Sequence, residues 1–114
     1  MRTEVIGKHL EITPAIREFA EQKTARLTRY FDGVQMITVR CEEDTHSNKK
    51  DDRFHVEITV DVVHHEDFVA NAKGTDLYHC IEAAVEKASR QITDFKERLR
   101  THKGGMSADG SKPH

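Results

Sequence analysis

The stretch that decides the fold lies at residues 76–102 and reads DLYHCIEAAVEKASRQITDFKERLRTH. Apolar side chains recur in it at alternating steps of three and four residues, which is the spacing of one buried face of an α-helix. These positions are Tyr78, Ile81, Val85, Ala88, Ile92, Phe95 and Leu99. A helix with one apolar stripe needs a second layer that buries it, so the stretch predicts a long helix packed on other structure.

The segments before this helix predict a sheet for it to cover. Residues 54–62 alternate apolar and polar side chains, which is the period of a strand with one buried face. Residues 35–43 and 68–73 show shorter alternation, and residues 3–9 are interpreted as a first strand. Polar or turn-forming residues separate the last three strands, so these strands can pair as antiparallel hairpins.

A first helix is predicted between the first two strands. Thr13 is suited to the N-cap, and Pro14 to the first helical position, where a missing N–H costs nothing. The helix is expected to run to about Phe31 and to stop at Asp32-Gly33. Such a crossover makes the first two strands parallel. The prediction is a two-layer α+β domain of order β-α-β-β-β-α, with a four-stranded mixed sheet and two helices on one face.

Length and composition set the domain count and the class of protein. With 114 residues, 36% hydrophobic and 33% charged, the chain fits one solvated domain, which we place at residues 1–103. Residues 104–114 have little to bury and are predicted to form a flexible tail. No apolar run spans a bilayer and the start does not resemble a secretion signal, so no membrane association is expected. Cys41 and Cys80 fit reduced core thiols in a cytoplasmic protein.

Patterns for catalysis and for cofactors do not stand out in the chain. The eight histidines include no His-x-x-x-His pair, and the two cysteines lack metal-ligand spacing, so no metal is predicted. A nucleophile motif, a phosphate-cradling glycine loop and a spaced carboxylate pair are also missing from the sequence. We therefore predict no catalytic residue, no cofactor and no small-molecule substrate.

Positive charge is concentrated on the two helices. Between residues 87 and 103 six basic residues stand against two acidic ones, although the whole chain has a formal net charge of −2. The first helix adds a basic cluster on one flank, with Lys23 lying in the middle of its apolar stripe. The basic residues of interest are Lys23, Arg26, Arg29, Lys87, Arg90, Lys96, Arg98 and Arg100.

Two interpretations of these basic residues stay open at this point. They can be an ordinary solvated helix face, because cations near a helix C-terminus are favoured by the helix dipole. They can also be a surface for an anionic polymer, because two basic clusters on neighbouring helices form one patch. Lys23 can lay its stem along the sheet rim, point its ammonium at a phosphate, or do both. Asp94 interrupts the stripe of Lys87, Arg90 and Arg98, so a partial patch is expected.

Two blocks of the sequence resemble a known family. The first block comprises residues 11–19 (EITPAIREF), Lys23, Arg26, Leu27, Tyr30, Phe31 and Asp32. The second block comprises Asp76, Leu77, Tyr78, Ile81, Glu82, Lys87, Arg90, Gln91, Ile92, Lys96, Arg98, Leu99 and Arg100. Together they resemble the ribosome hibernation-promoting factors, also called ribosome-associated inhibitors, over about residues 3–102.

The resemblance implies a fold, a partner and a mode of action. The fold would be like that of double-stranded-RNA-binding domains. The partner would be the small ribosomal subunit, with its 16S rRNA, in the channel used by tRNA and mRNA. There the protein would silence idle ribosomes under stress, possess no enzymatic activity and be monomeric when free. The resemblance places seven of the basic residues against rRNA, and Arg29 is added from its flank. The seven are Lys23, Arg26, Lys87, Arg90, Lys96, Arg98 and Arg100.

Two departures from the family pattern qualify these expectations. Asp94-Phe95 stands where family members often have a basic residue and a histidine, which weakens the middle of the second patch. We expect no C-terminal dimerisation domain like that of the long-form factors, because the chain resembles the short form. Short members differ in whether they promote or prevent ribosome dimers, and the sequence does not distinguish the two.

The residues also allow a protein of a different class. The alternative is a protein–protein interaction module that uses the acidic, histidine-bearing open face of the sheet. A further version uses the apolar stripe of the last helix as a coiled-coil seam, although about three heptads favour core packing instead.

Overall fold

The computed structural model describes residues 2–30, 32–44 and 52–105, apart from the side chains of residue 30 and residues 100–105. The elements are β1 (Arg2–Lys8), α1 (Pro14–Tyr30), β2 (Val34–Glu43), β3 (Phe54–Val62), β4 (Phe68–Gly74) and α2 (Leu77–Gly105). The predicted order β-α-β-β-β-α is confirmed. The predicted tail differs at its start, since α2 continues to Gly105, and residues 106–114 lie outside the described part.

The sheet has the predicted mixed topology, with strand order β1-β2-β3-β4. β1 runs parallel to β2, and the other two pairs are antiparallel, with a register shift between Val34 and Met36. α1 packs over β1 and β2, α2 packs over β3 and β4, and the two helices contact each other. One face of the sheet is therefore covered, whereas the other is open to solvent.

Local chemistry explains where the helices begin. The hydroxyl of Thr13 accepts a hydrogen bond from the backbone N–H of Ile16 (3.2 Å), as predicted for an N-cap. Asp76 caps α2 by accepting from the backbone N–H of Tyr78 (3.0 Å). Gly7 is needed where the chain returns towards α1, because a Cβ there would collide with the carbonyl oxygen of Leu10.

The core lies between the sheet and the helices. Alternate residues of β2 and β3 are fully buried, and the one buried polar side chain among the described residues, Thr24, donates to the carbonyl of Ala20 (2.8 Å). The largest buried apolar side chains are Leu27, Ile37, Val39, Val56, Ile58, Val60, Val62, Ile81, Val85 and Ile92. The stripe of α2 is thus occupied by intramolecular packing, which removes the proposed coiled-coil seam as a free surface.

The prediction that both ends of the apolar stripe of α2 are buried was wrong. Tyr78 and Leu99 are each 39% exposed, and the core takes Leu77, Cys80 and Ala84 instead. A 29-residue helix is about 43 Å long, whereas the nine residues of β3 span about 30 Å, so α2 extends past the sheet. At Leu99 the apolar period therefore continues beyond the surface that can bury it, whereas Tyr78 lies on the flank of α2 that packs against Phe19 of α1.

The two cysteines lie in the core, as predicted. Both are free thiols. Burial, with a smaller contribution from nearby Cys80, raises the pKa of the Cys41 thiol to about 11. Burial and then the charge of Asp76 raise the pKa of the Cys80 thiol. Such thiols are poor nucleophiles at neutral pH.

Candidate nucleic-acid interface

The packed helices form a shallow groove that brings together half of the predicted basic residues. Lys23 and Arg26 come from α1, and Lys87 and Arg90 from α2. The groove has a volume of about 490 Å³. It is also lined by two acids of α2, Glu82 and Glu86, so it is not uniformly positive.

Lys23 has an internal partner. Its Nζ lies 3.1 Å from Oε2 of Glu82 and 5.3 Å from the centre of the Phe19 ring. That ring packs edge-on against Tyr78, with centroids 4.9 Å apart and planes at 88°. The stem of Lys23 was expected along the rim of the sheet, whereas its ammonium lies at the boundary between the two helices. Its charge points at a carboxylate on α2.

Lys87 also differs from the simple expectation of a solvated cation. Its Nζ donates to the backbone carbonyl of Asn71 (2.8 Å), and the side-chain amide of Gln91 donates to the carbonyl of Val69 (3.0 Å). β4 is an edge strand, so these bonds satisfy outward-pointing carbonyls that would otherwise attract another strand. Lys87 therefore supports the sheet edge, a role that sequence reasoning missed because nothing in the local pattern signals it.

Four other basic residues of the predicted set are exposed and lie on different flanks of the helices. Arg29, Arg90, Lys96 and Arg98 are exposed and make no ion pair with another described residue. Arg98 follows Gln91 by seven residues, so it lies on the flank of α2 that faces β4. Lys96 follows Glu82 by fourteen residues, which puts it on the flank that faces α1. The side chain of Arg100 lies outside the described residues.

The Asp94-Phe95 departure separates into two effects. Asp94 is exposed midway between Arg90 and Arg98, one turn from each, and interrupts their stripe as expected. Phe95 instead packs its ring on Phe68 (5.4 Å between centroids) and on His65 (4.4 Å). Phe95 therefore joins the β3–β4 turn to the basic half of α2.

On the open face of the sheet, charged side chains of opposite sign are paired with one another. Arg40 pairs with Glu57 across β2 and β3 (3.6 Å), and Lys8 approaches Glu42 across β1 and β2 (4.0 Å). The imidazole of His55 is 2.8 Å from the side-chain oxygen of Asn71. Opposite charges on this face lie beside one another on adjacent strands, which satisfies them internally.

Neither a metal site nor a membrane span is found in the described part of the chain. None of its helices combines the length and apolar character needed to cross a membrane. Its histidines, cysteines and acids form no group of three that could hold a metal ion.

Curated relatives cover nearly the whole chain. The ribosome hibernation promoting factor of Escherichia coli (strain K12) is 32% identical over 102 residues, which is 90% of this chain and 100% of the relative. The ribosome hibernation promoting factor of Azotobacter vinelandii is 29% identical over 114 residues, covering 99% of this chain and 100% of that one.

Solved structures share the fold. The Protein Y N-terminal domain of Thermus thermophilus matches with a TM-score of 0.68 at 33% identity, over 81% of this chain and 94% of that one. A ribosomal subunit interface protein from Coxiella burnetii matches with a TM-score of 0.72 at 24% identity, over 85% and 99%. These matches confirm the predicted two-layer fold.

The family profile described as "Sigma 54 modulation protein / S30EA ribosomal protein" matches residues 3–100, which is almost the entire described domain. The relatives named as ribosome hibernation promoting factors agree with that match. The resemblance inferred from the two sequence blocks is thereby confirmed. This chain belongs to the Sigma 54 modulation protein / S30EA ribosomal protein family.

Proposed function

We propose that this protein is a ribosome hibernation factor that binds the small ribosomal subunit and inhibits translation in idle or stressed cells. The observation that carries the proposal is that Arg29, Arg90, Lys96 and Arg98 are exposed on the two packed helices, with Arg90 lining the groove between α1 and α2. Rigid helices hold these cations at defined spacings, which suits a polyanion of defined shape. The names of the curated relatives supply the ribosome as that polyanion.

The proposed mechanism is occlusion rather than chemistry. Phosphate contacts supply affinity, and the shape of the channel used by tRNA and mRNA supplies specificity. The protein acts in the cytoplasm as a monomer that contacts 16S rRNA, and it needs neither a cofactor nor a metal. With about five to seven phosphate contacts, log affinity falls with log salt at a slope of about −4 to −6.

The structure refines the set of residues proposed to contact rRNA. Six residues are proposed as direct phosphate ligands. Two are on α1 and four on α2: Arg26, Arg29, Arg90, Lys96, Arg98 and Arg100. Lys87 is assigned mainly to β4, because its ammonium is already bound to the carbonyl of Asn71. Lys23 reaches rRNA only if its pair with Glu82 opens.

Sedimentation of the full chain with purified bacterial ribosomes tests the proposal. Co-migration with the small subunit and with whole ribosomes is expected at low salt, and it should weaken steeply as salt rises. Failure to co-migrate, or binding indifferent to salt, would contradict it. A shift of ribosomes to paired particles, compared with a chain ending at residue 105, would show whether residues 106–114 affect dimerisation.

The alternative function, a protein–protein interaction module, uses the open sheet face. Its half-exposed strand residues and the paired charges of Arg40 and Glu57 are compatible with a protein partner. Pull-down before and after ribonuclease treatment separates the two functions. The ribosomal proposal requires that ribonuclease removes the captured partners, whereas the module requires that they persist.

A further inference from the structure

The groove between α1 and α2 is lined by acidic as well as basic side chains. Its lining includes two acids one helical turn apart, Glu82 and Glu86. It also includes four basic side chains: Lys23, Arg26, Lys87 and Arg90. A groove that had only to attract anionic polymers would gain affinity from neutral residues at both acidic positions. The two carboxylates therefore reduce the attraction of this surface for RNA in general.

Glu82 is the acid with a defined partner. Its carboxylate lies 3.1 Å from the ammonium of Lys23, and the two side chains are 51% and 32% exposed. The pair is open to solvent on the groove side, so a ligand can reach both groups. An exposed pair of this kind is weak and can be exchanged when a better partner arrives.

Lys23 lies at the boundary between the two helices. Its ammonium is 5.3 Å from the centre of the Phe19 ring, and that ring packs edge-on against Tyr78. The same ammonium is next to the carboxylate of Glu82. A phosphate that contacts Lys23 in this position therefore approaches Glu82 as well.

We propose that Glu82 is a specificity-determining residue that keeps Lys23 paired against unselected RNA and releases it at the ribosomal site. The inference rests on the proposed function and names a selectivity device within the same surface. Binding to arbitrary RNA depends on counterion release by free cations, and a lysine that is already paired contributes little of it. Glu82 also repels any phosphate that enters the groove without compensation.

A shaped RNA site can compensate Glu82, whereas a plain duplex backbone cannot. A carboxylate accepts hydrogen bonds from the exocyclic amino groups of bases, which a loop or bulge can present but a regular duplex holds in its base pairs. A folded site that offers such a donor beside a phosphate satisfies Glu82 and Lys23 together. The acid then costs affinity at generic sites and little at the matching site, which is how an unfavourable contact produces specificity.

Fluorescence anisotropy of the full chain, with two probes over a range of salt, tests this inference. One probe is a 20-base-pair duplex RNA of unrelated sequence, and the other is purified bacterial small ribosomal subunits. Glu82→Gln should tighten duplex binding about three- to fivefold and steepen its salt slope by about 0.7 to 0.9. Affinity for the subunits should change less than twofold, so the specificity ratio should fall about threefold.

Two matched variants separate this mechanism from net charge. Glu18→Gln removes the same charge from an exposed position on α1 that does not line the groove, and it should leave the specificity ratio unchanged. In a Lys23→Gln background, Glu82→Gln should no longer steepen the salt slope, because no lysine is left to be released. Equal effects of Glu82→Gln and Glu18→Gln, or equal effects on both probes, would overturn the inference.

The outcomes distinguish this inference from the proposed function. If the wild-type chain binds subunits no better than the duplex, the ribosomal proposal itself fails, and the inference fails with it. If it binds subunits selectively and Glu82→Gln leaves the specificity ratio intact, only the role of Glu82 is overturned. A thermal melt of each variant checks that loss of the Lys23 pair has not unfolded the domain.

Discussion

The helix layer and the open sheet face contain similar kinds of charged residue but use them differently. On the sheet face, Arg40 and Lys8 lie next to acids on adjacent strands. On the helix layer, Arg90, Lys96 and Arg98 have no ion pair within the described chain. Charge count alone does not separate these surfaces. What separates them is whether each cation already has a partner, since only an unpartnered cation gains much from a phosphate.

Neutralising cations on one layer at a time should break this comparison most clearly. Arg90→Gln with Arg98→Gln should weaken binding to small subunits about hundredfold and make the salt slope shallower by about 2, because two phosphate contacts are lost. Arg40→Gln with Lys8→Gln removes the same charge from paired residues of the sheet face and should change affinity less than threefold. Equal losses in both double variants would show that long-range charge, not the helix surface, drives binding.

The attachment of the basic half of α2 to the sheet is tested by Phe95→Ala. The ring packs on Phe68 and His65 but is only partly buried, so the loss in free energy of unfolding should be about 2 to 3 kcal/mol. Urea denaturation measures it. Leu99→Ala, at a position that is 39% exposed, is the control and should cost less than about 1 kcal/mol. Similar costs would mean that the hairpin turn does not hold the helix.

The Cys41 thiol, which is buried between the sheet and the helices, should make the free energy of unfolding depend on pH in the alkaline range. The pKa of Cys41 is about 11 in the fold and 9.0 in an unperturbed thiol, so the unfolded chain releases its proton first as pH rises. The contribution of this thiol to the free energy of unfolding should be full well below pH 9. It should fall by about 2 kcal/mol by pH 10.5, because each unit of difference between folded and unfolded pKa is worth about 1.36 kcal/mol. Urea midpoints measured across this range check it. A Cys41→Ala variant should lose this component of the decline.

The smallest expected effect concerns Lys87, which belongs to the helix layer but bonds to the sheet. Lys87→Met keeps the stem and removes the bond to Asn71, so the free energy of unfolding should fall by about 1 kcal/mol. Subunit affinity should fall less than with Arg90→Gln. Lys96→Met makes the same change at an exposed residue without an ion pair to the described chain. Compared with Lys87→Met, it should reduce subunit affinity more and the free energy of unfolding less. The reverse pattern would return Lys87 to the direct contacts.

Much of the fold was predictable because the signals are local. Alternation in residues 54–62 identifies a strand whichever partner it finds, and Thr13-Pro14 marks a helix start by chemistry confined to one turn. The ends of the α2 stripe were not predictable in this way. Tyr78 and Leu99 keep the helical period, but the burial of Leu99 depends on where the sheet stops, and that of Tyr78 on how α1 docks beside α2.

The candidate site was predictable as a set of cations and not as an arrangement. Periodicity placed Lys23 in an apolar stripe, yet its partner Glu82 is on another helix and 59 positions away in sequence. The carbonyl that Lys87 binds belongs to a strand reached only through the packing of α2 on β4. Neither partner leaves a mark in the local pattern.

The sequence by itself determined the order of the elements, the central part of the buried face of α2 and the presence of basic residues on both helices. These properties follow from side-chain period, capping and composition, which act within a few residues. The tertiary structure alone decided which cations are paired, which support the edge strand and which face solvent. Those outcomes depend on how two helices dock on one sheet, because an ion pair or hydrogen bond forms only when docking brings its atoms within about 3 Å.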